Sequence, residues 1–171
     1  MFLDQARKVA YLGILTALAL ALAWVERFIP LALPVPGVKL GLANIVTLLS
    51  LYLLGTKVGF WVMLSRVLIA GALFSGISGI IYGLSGGFFA YAVMIALKST
   101  KKPTIIGVSV AGAVAHNIGQ IMIAAVIVEN IEMFRFLPIL TITGAAAGML
   151  TGFAAALVYK RLISVRFFQS G

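Results

Sequence analysis

The sequence predicts an all-α integral membrane protein, a single domain over residues 1–171 built as a bundle of six transmembrane helices. Three observations predict this class. Hydrophobic residues make up 63% of the chain, charged residues only 10%, and the mean hydropathy is +1.17. A soluble domain cannot bury so large an apolar fraction. The apolar residues fall into six runs, and the charged residues lie mostly at the ends of those runs.

The six apolar runs are each taken as one predicted span. A span needs about 20 residues, so the chain has room for about six and for little else. The second and third runs are short and are joined by a tight turn at Gly55, so tilted or broken helices remain an alternative there. The runs cover residues 9–29, 40–54, 58–74, 77–97, 105–128 and 136–159.

Basic residues predict the orientation in a cytoplasmic membrane. Lysine and arginine favour the cytoplasmic side, and with both termini inside nine of the thirteen fall there and three fall outside. Arg66 lies inside the third run and is the one basic residue placed within the membrane. The net charge of +9 is therefore a topology signal, and no nucleic-acid partner is expected. The inner group comprises Arg7, Lys8, Lys57, Lys98, Lys101, Lys102, Lys160, Arg161 and Arg166, and the outer group Arg27, Lys39 and Arg135.

The N-terminus also fits a signal-peptide pattern, with Arg7 and Lys8 before an apolar run and Ala21-Leu22-Ala23 as a small-residue motif. Because more membrane follows, we interpret this run as the first span.

A proline-rich loop follows the first run. Pro30, Pro34 and Pro36 fix the backbone and suppress regular hydrogen bonding, and Gly37 and Lys39 then precede a helix that carries Asn44. Such an entry suits placing backbone groups and an amide beside a ligand, although a tight loop before an ordinary helix start is the simpler alternative.

Arg66 is the most informative residue. It lies nine residues from Lys57, hence about 13 Å deep and near the membrane midplane. An arginine there costs at least about 2.5–3.5 kcal/mol, and such residues usually face a cavity or a partner. All four acids lie at span ends, so Arg66 must use carbonyls, polar side chains, water or an anionic ligand. A structural role, bonded to helix carbonyls, stays open beside the ligand-facing one.

A second polar cluster lies in the fifth run, where His116, Asn117 and Gln120 are three or four residues apart and so on one side of a helix. With Asn44 and Arg66 they could share one depth zone. A satisfied core histidine is the alternative for His116. One histidine without carboxylate or thiol neighbours predicts no metal site, and no cofactor is expected.

Small residues recur every fourth position in three helices, which lets helix backbones approach closely. Packing within the chain is the default interpretation of all three stripes. The stripe Gly13, Ala17 and Ala21 is the best candidate for docking a partner subunit. The other two comprise Gly107, Ala111, Ala115 and Gly119, and Gly144, Gly148, Gly152 and Ala156.

Catalytic chemistry is not predicted. The chain has no cysteine, no paired carboxylates inside a run, and no glycine-rich phosphate loop with its lysine. We therefore expect no enzyme activity and no catalytic residues.

Three segments resemble the bacterial Gx transporter proteins, a family labelled heptaprenyl diphosphate synthase component I. They are residues 36–45, 66–71 and 115–120. That family is similar to the substrate-binding S components of energy-coupling factor transporters. The resemblance implies a six-helix protein that binds a vitamin or precursor near the outer face, beneath the loop joining helices one and two.

It also implies docking of a transmembrane coupling subunit, with its ATPases, through an Ala-x-x-x-Ala stripe on helix one, whose place Gly13 and Ala17 take here. The predicted ligand contacts are Gly37, Lys39, Asn44, Arg66, His116, Asn117 and Gln120.

The synthase label fits poorly, because a prenyl synthase needs acids to hold magnesium diphosphate. It is compatible with an anionic or isoprenoid substrate. The alternative function is a non-catalytic membrane subunit associated with polyprenyl diphosphate or quinone synthesis, or with a flavin-linked redox system. A structural membrane partner without a ligand is a third hypothesis.

Overall fold

The computed structural model describes residues 2–29 and 40–164, with side chains from residue 6, and these residues are all-helical. Six α-helices follow one another in the described chain. Their bounds are α1 Phe2–Glu26, α2 Leu42–Leu53, α3 Thr56–Ala70, α4 Gly76–Ser99, α5 Ile105–Val128 and α6 Leu137–Ser164. A π-helical turn, Gly71–Ser75, joins α3 to α4, and a 3₁₀ helix, Ile131–Phe136, precedes α6.

Four helical segments of the described chain are long and apolar enough to cross a membrane, namely Ala6–Glu26, Thr56–Ser99, Ile105–Val128 and Ile131–Ser164. The 44-residue segment Thr56–Ser99 is bent back on itself at the π-helical turn, so that α3 and α4 are antiparallel. Two contacts establish this register, because Gly83 lies against Val67 and Gly87 lies one turn further along against Met63. Gly76, with φ of +68°, begins the second arm of the hairpin.

Five helices form a closed ring, and the first helix packs outside it. Contacts run from α2 to α3, α4, α5 and α6 in turn and from α6 back to α2, whereas α1 contacts α2 and α3. On α1, Ala19 is fully buried against α2 and α3, and the Thr16 hydroxyl hydrogen-bonds that of Ser65 at 2.9 Å.

The half of the ring nearer the C-terminal end of α2 is a packed apolar core. Leu48, Leu51, Met63 and Met94 are almost completely buried there and contact one another in a single cluster. At the same end, Lys98 Nζ donates to the carbonyl oxygen of Leu51 at 2.5 Å, which satisfies one of the last carbonyl groups of α2. The polar residues of interest lie in the opposite half.

The predicted runs match these helices with shifts at their ends. The fifth run coincides with α5, and Thr104 caps that helix by accepting from the backbone amide of Gly107 at 3.1 Å. The third run, 58–74, is divided, because α3 ends at Ala70 and the next five residues are π-helical. Helix α6 continues five residues beyond the predicted end.

Candidate functional site

Arg66 lies on the side of α3 that faces α2 and is partly buried. Its Nε atom donates to Thr47 Oγ1 at 3.0 Å, and its Nη2 atom lies 3.5 Å from Asn44 Oδ1. Thr47 is completely buried, whereas Asn44 is partly exposed. Arg66 thus uses polar side chains of the neighbouring helix, one of the possibilities that the sequence left open. The longer contact to Asn44 is at the limit of a hydrogen bond.

Glu26 completes this cluster, and sequence reasoning did not assign it to the site. From the last residue of α1, its two carboxylate oxygens accept from the backbone amides of Gly41, at 2.6 Å, and Leu42, at 3.1 Å. A carboxylate at a helix N-terminus satisfies free amides and interacts favourably with the helix dipole. Glu26 thereby fixes the start of α2, two residues before Asn44.

Glu26 and Arg66 do not form an ion pair within 4 Å. The sequence signal for the backbone contacts of Glu26 was an acid at the end of the first run, 15 residues before Gly41. The pairing becomes visible only because the chain returns to that point in the fold.

His116 and Asn117 point towards different neighbours. The imidazole of His116 lies over Gly86 of α4, where a methyl group built on that glycine would be 2.7 Å from Cε1. The Asn117 side chain donates to the carbonyl oxygen of Leu140 in α6 at 2.5 Å. The prediction that these residues lie on one side of α5 therefore holds only loosely, since successive residues are about 100° apart.

Gln120 lies between those two directions. At about 100° per residue it is about 40° from His116 and about 60° from Asn117 around the helix. Because His116 faces α4 and Asn117 faces α6, Gln120 faces the space that the ring encloses. It is partly buried there.

The register of the helices places the polar residues at similar depths. Val67, beside Arg66, lies level with Gly83, and Gly86, one turn further along α4, lies level with His116. The backbone carbonyl of Gly119, next to Gln120, accepts from the Ser85 hydroxyl at 2.6 Å. Arg66, His116 and Gln120 therefore lie within about two helical turns, or about 11 Å, along the bundle. The described hydrogen bonds of Arg66 go to Thr47 and Asn44, and none goes to Gln120.

Gly37 and Lys39, the two predicted ligand contacts in the proline-rich loop, lie outside the described residues. Among the described residues, no three side chains of histidine, aspartate or glutamate gather as a metal site.

The three small-residue stripes have different environments. Gly144, Gly148 and Gly152 are buried against α5. Ala115 and Gly119 of the α5 stripe are also buried, and Gly119 lies against α4. Gly13, Ala17 and Ala21 are instead exposed, and nothing lies within 4 Å of the position that a methyl group on Gly13 would take. The default interpretation, packing within the chain, is therefore wrong for the stripe on α1.

Two surface grooves lie elsewhere. One, of about 530 Å³, is formed by α4, α5 and the 3₁₀ helix, and the other, of about 230 Å³, by α3 and α4 near Lys57. Neither groove is lined by a predicted ligand contact.

The fold and the polar cluster define an all-helical, multi-pass membrane protein with a charged side chain among the polar groups of a helix ring. The chain belongs to the family described as heptaprenyl diphosphate synthase component I, whose model matches residues 15–158. This confirms the family predicted from the three sequence segments. No curated protein sequence matches the chain.

Among solved structures, the chain is similar to the S component of a bacterial ECF transporter. The two share 20% sequence identity and superpose with a TM-score of 0.60 over 95% of this chain and 99% of the other. At that identity the similarity establishes the fold, and it confirms the predicted S-component-like architecture.

Proposed function

We propose that this protein is the membrane-embedded substrate-binding subunit of an energy-coupling factor type uptake transporter and has no catalytic activity of its own. The observation that carries the proposal is the environment of Arg66, a guanidinium held by Thr47 and Asn44 inside a ring of apolar helices. Charged side chains in transmembrane segments are costly and typically mark ligand or ion pathways. The S-component-like fold supports the same interpretation.

The ligand enters from the outer side and occupies the polar half of the ring. Asn44, Arg66, His116 and Gln120 contact it, and Asn117 supports the site through its bond to α6. Gly37 and Lys39 remain predicted contacts from the loop. Guanidinium groups bind carboxylates and phosphates well, so we propose a vitamin or small precursor with an anionic group, an isoprenoid phosphate being one such class.

Six membrane crossings with both termini in the cytoplasm fit the proposal. The hairpin Thr56–Ser99 supplies two crossings, and α2, about 18 Å long, supplies a short one. In this orientation the core around Leu48 and Met63 lies on the cytoplasmic side of Arg66 and closes the ring beneath it. Inward release therefore requires a change that a partner drives, for which we propose a coupling subunit with ATPases.

The exposed face of α1 is the proposed docking surface for that partner. Gly13, Ala17 and Ala21 leave a smooth strip on which another helix backbone can pack closely. Large apolar side chains flank it, since Val9 and Ile14 are about two-thirds exposed.

Native mass spectrometry of the purified protein tests the ligand proposal by identifying any retained small molecule. In Arg66→Ala, retention and affinity should fall by at least about tenfold, because a charged hydrogen bond contributes roughly 1.5–3 kcal/mol. Arg66→Lys should keep part of the affinity, since it keeps the charge but not the planar guanidinium. The control is Lys57→Ala, which removes an exposed charge at the other end of α3. Undiminished binding in Arg66→Ala would refute the proposed role.

Docking has a separate test. Ala17→Leu should abolish co-purification of coupling and ATPase subunits while leaving thermal stability and ligand retention unchanged, because the side chain faces outwards. Leu150→Phe on the exposed face of α6 is the control. Equal co-purification by both variants would place the docking surface elsewhere.

The family's description favours one second candidate, a non-catalytic membrane subunit associated with polyprenyl diphosphate or quinone synthesis. Co-purification distinguishes it, because a soluble prenyl synthase would then replace the ATPase subunits.

A further inference from the structure

The larger of the two grooves lies between α4 and α5 on the outer wall of the ring, and no predicted ligand contact lines it. It has a volume of about 530 Å³, within the range of ligand pockets, which is roughly 300–1,000 Å³. Its walls are almost entirely apolar, and one carboxylate lies at its rim. The lining includes Phe89 of α4, Met122, Val126 and Glu129 at the end of α5, and Ile131 and Phe134 of the 3₁₀ helix.

The groove faces the bilayer. Around α5, Met122 and Val126 lie about 140° and 180° from Asn117, which contacts α6, and so they point away from α6 and from the ring interior. Val126 is 70% exposed and Ile131 is 79% exposed. The floor extends about 10 Å from Met122 to Glu129, where α5 ends at one membrane surface. An apolar chain lying in this groove would have its head group beside Glu129.

Glu129 is unusual in two respects. It ends α5 in the left-handed conformation, with φ of +53°, at a position that usually carries glycine because a side chain is strained there. Within the described chain, its carboxylate takes part in neither a hydrogen bond nor an ion pair. Non-glycine residues in the left-handed conformation are found more often at functional sites than elsewhere.

The other charges at this rim cancel. Glu132 and Arg135 form an ion pair, and the Asn130 side chain accepts from the Glu132 backbone amide at 2.8 Å. Among the described residues, Glu129 therefore leaves one net negative charge at the mouth of the groove, which complements a cationic head group and disfavours an anionic one.

We propose that this groove is a specific site for a phospholipid whose head group ends in an ammonium, with phosphatidylethanolamine as the representative. One acyl chain lies against Phe89, Met122 and Val126, and the ammonium donates to the Glu129 carboxylate. The site is separate from the proposed ligand site and depends only on the placement of the chain in a membrane.

Photolabelling in nanodiscs tests the site. The discs contain equal amounts of phosphatidylethanolamine and phosphatidylglycerol, and in each experiment one of the two carries a photoactivatable group in its acyl chain. Labelled peptides from α5 and the 3₁₀ helix are quantified by mass spectrometry. We expect the ethanolamine lipid to label them about 1.4-fold to fivefold more than the glycerol lipid, because an exposed ion pair contributes roughly 0.2–1 kcal/mol.

Three variants separate the contributions of the Glu129 carboxylate, of its backbone conformation and of the apolar surface of the groove. Glu129→Gln should bring the labelling ratio to about one and leave total labelling unchanged. Glu129→Gly should do the same while keeping or raising thermal stability, because glycine relieves the positive φ. Val126→Trp should lower labelling by both lipids, because the indole fills the groove.

The control is the double variant Glu132→Gln with Arg135→Gln, which removes the neighbouring ion pair without changing the net charge. It should leave the ratio as in the wild type. Equal labelling by the two lipids in the wild type, an unchanged ratio in Glu129→Gln, or unchanged labelling in Val126→Trp would each overturn the proposal. Co-purification of an isoprenoid or a partner helix in the groove would overturn it as well.

Discussion

The contact between α5 and α6 at Gly148 provides a sharp test of the packing. A methyl group built on Gly148 would lie 2.8 Å from Val110 Cα, 2.9 Å from Ala113 Cβ and 3.0 Å from the Ser109 carbonyl oxygen. Two of these atoms belong to the backbone and cannot rotate away. In Gly148→Ala, α6 must therefore move away from α5 by several tenths of an ångström.

Two effects of opposite sign determine how much Gly148→Ala changes the free energy of unfolding. Alanine favours a helix over glycine by about 0.8–1 kcal/mol. Overpacking of a close-packed contact costs typically about 1–3 kcal/mol, and rigid backbone neighbours favour the upper part of that range. Gly148→Ala should therefore lower the free energy of unfolding by about 1–2 kcal/mol.

Reversible unfolding of the purified protein in mixed micelles with increasing SDS, followed by circular dichroism, measures the change. Gly13→Ala is the matched control, because it makes the same chemical change in α1 where nothing lies within 4 Å. It should leave stability unchanged or raise it by up to about 1 kcal/mol. Equal stabilities for Gly148→Ala and the wild type, or equal losses in both variants, would refute the reasoning.

Three further predictions concern side chains that form hydrogen bonds at helix ends or between helices. Glu26→Gln should destabilise the start of α2 by about 1 kcal/mol and speed hydrogen exchange of the Gly41 and Leu42 amides, because a neutral amide loses the attraction to the helix N-terminus; exchange no faster than in the wild type would contradict this. Thr104→Ala should cost about 1 kcal/mol in the same SDS assay by removing the cap of α5, whereas Thr104→Ser should retain most of the stability. Ser109 and Thr151 form a 3.2 Å hydrogen bond between α5 and α6. A double-mutant cycle with Ser109→Ala and Thr151→Val should give a coupling energy of about 0.6 kcal/mol. If the stability losses of the two single variants simply add in the double variant, this hydrogen bond contributes nothing.

The sequence predicted the helices well where local signals mark their ends. The bounds of α5 were correct, and Thr104 marks the start of that helix as its cap. The end of α6 was placed too early, at residue 159, because the apolar run ends there while the helix continues through Lys160 and Arg161 to Ser164. The end of an apolar run indicates where the chain leaves the membrane, and the helix itself can continue beyond that point.

The polar site was predictable in its residue types but not in its pairings. Arg66 stood out because its position within an apolar run is costly, and Asn44 was placed in the same zone by depth alone. The contributions of Thr47 and Glu26 depend on which faces of α1, α2 and α3 meet. The spacing of residues predicts which side chains share a face of one helix. It does not predict how the neighbouring helix is rotated about its own axis.

The stripes of small residues show the same limit and lead to a functional consequence. Gly13 and Gly148 each recur with a small residue four positions later, so spacing predicts a smooth helix face for both. Gly148 is occluded by α5, whereas Gly13 has no neighbour in the described chain. A small-residue face exposed to lipid gives less side-chain contact than leucine would. Its value lies in close approach of another backbone, which this chain does not itself supply, and that is why α1 is the helix where we expect the partner to dock.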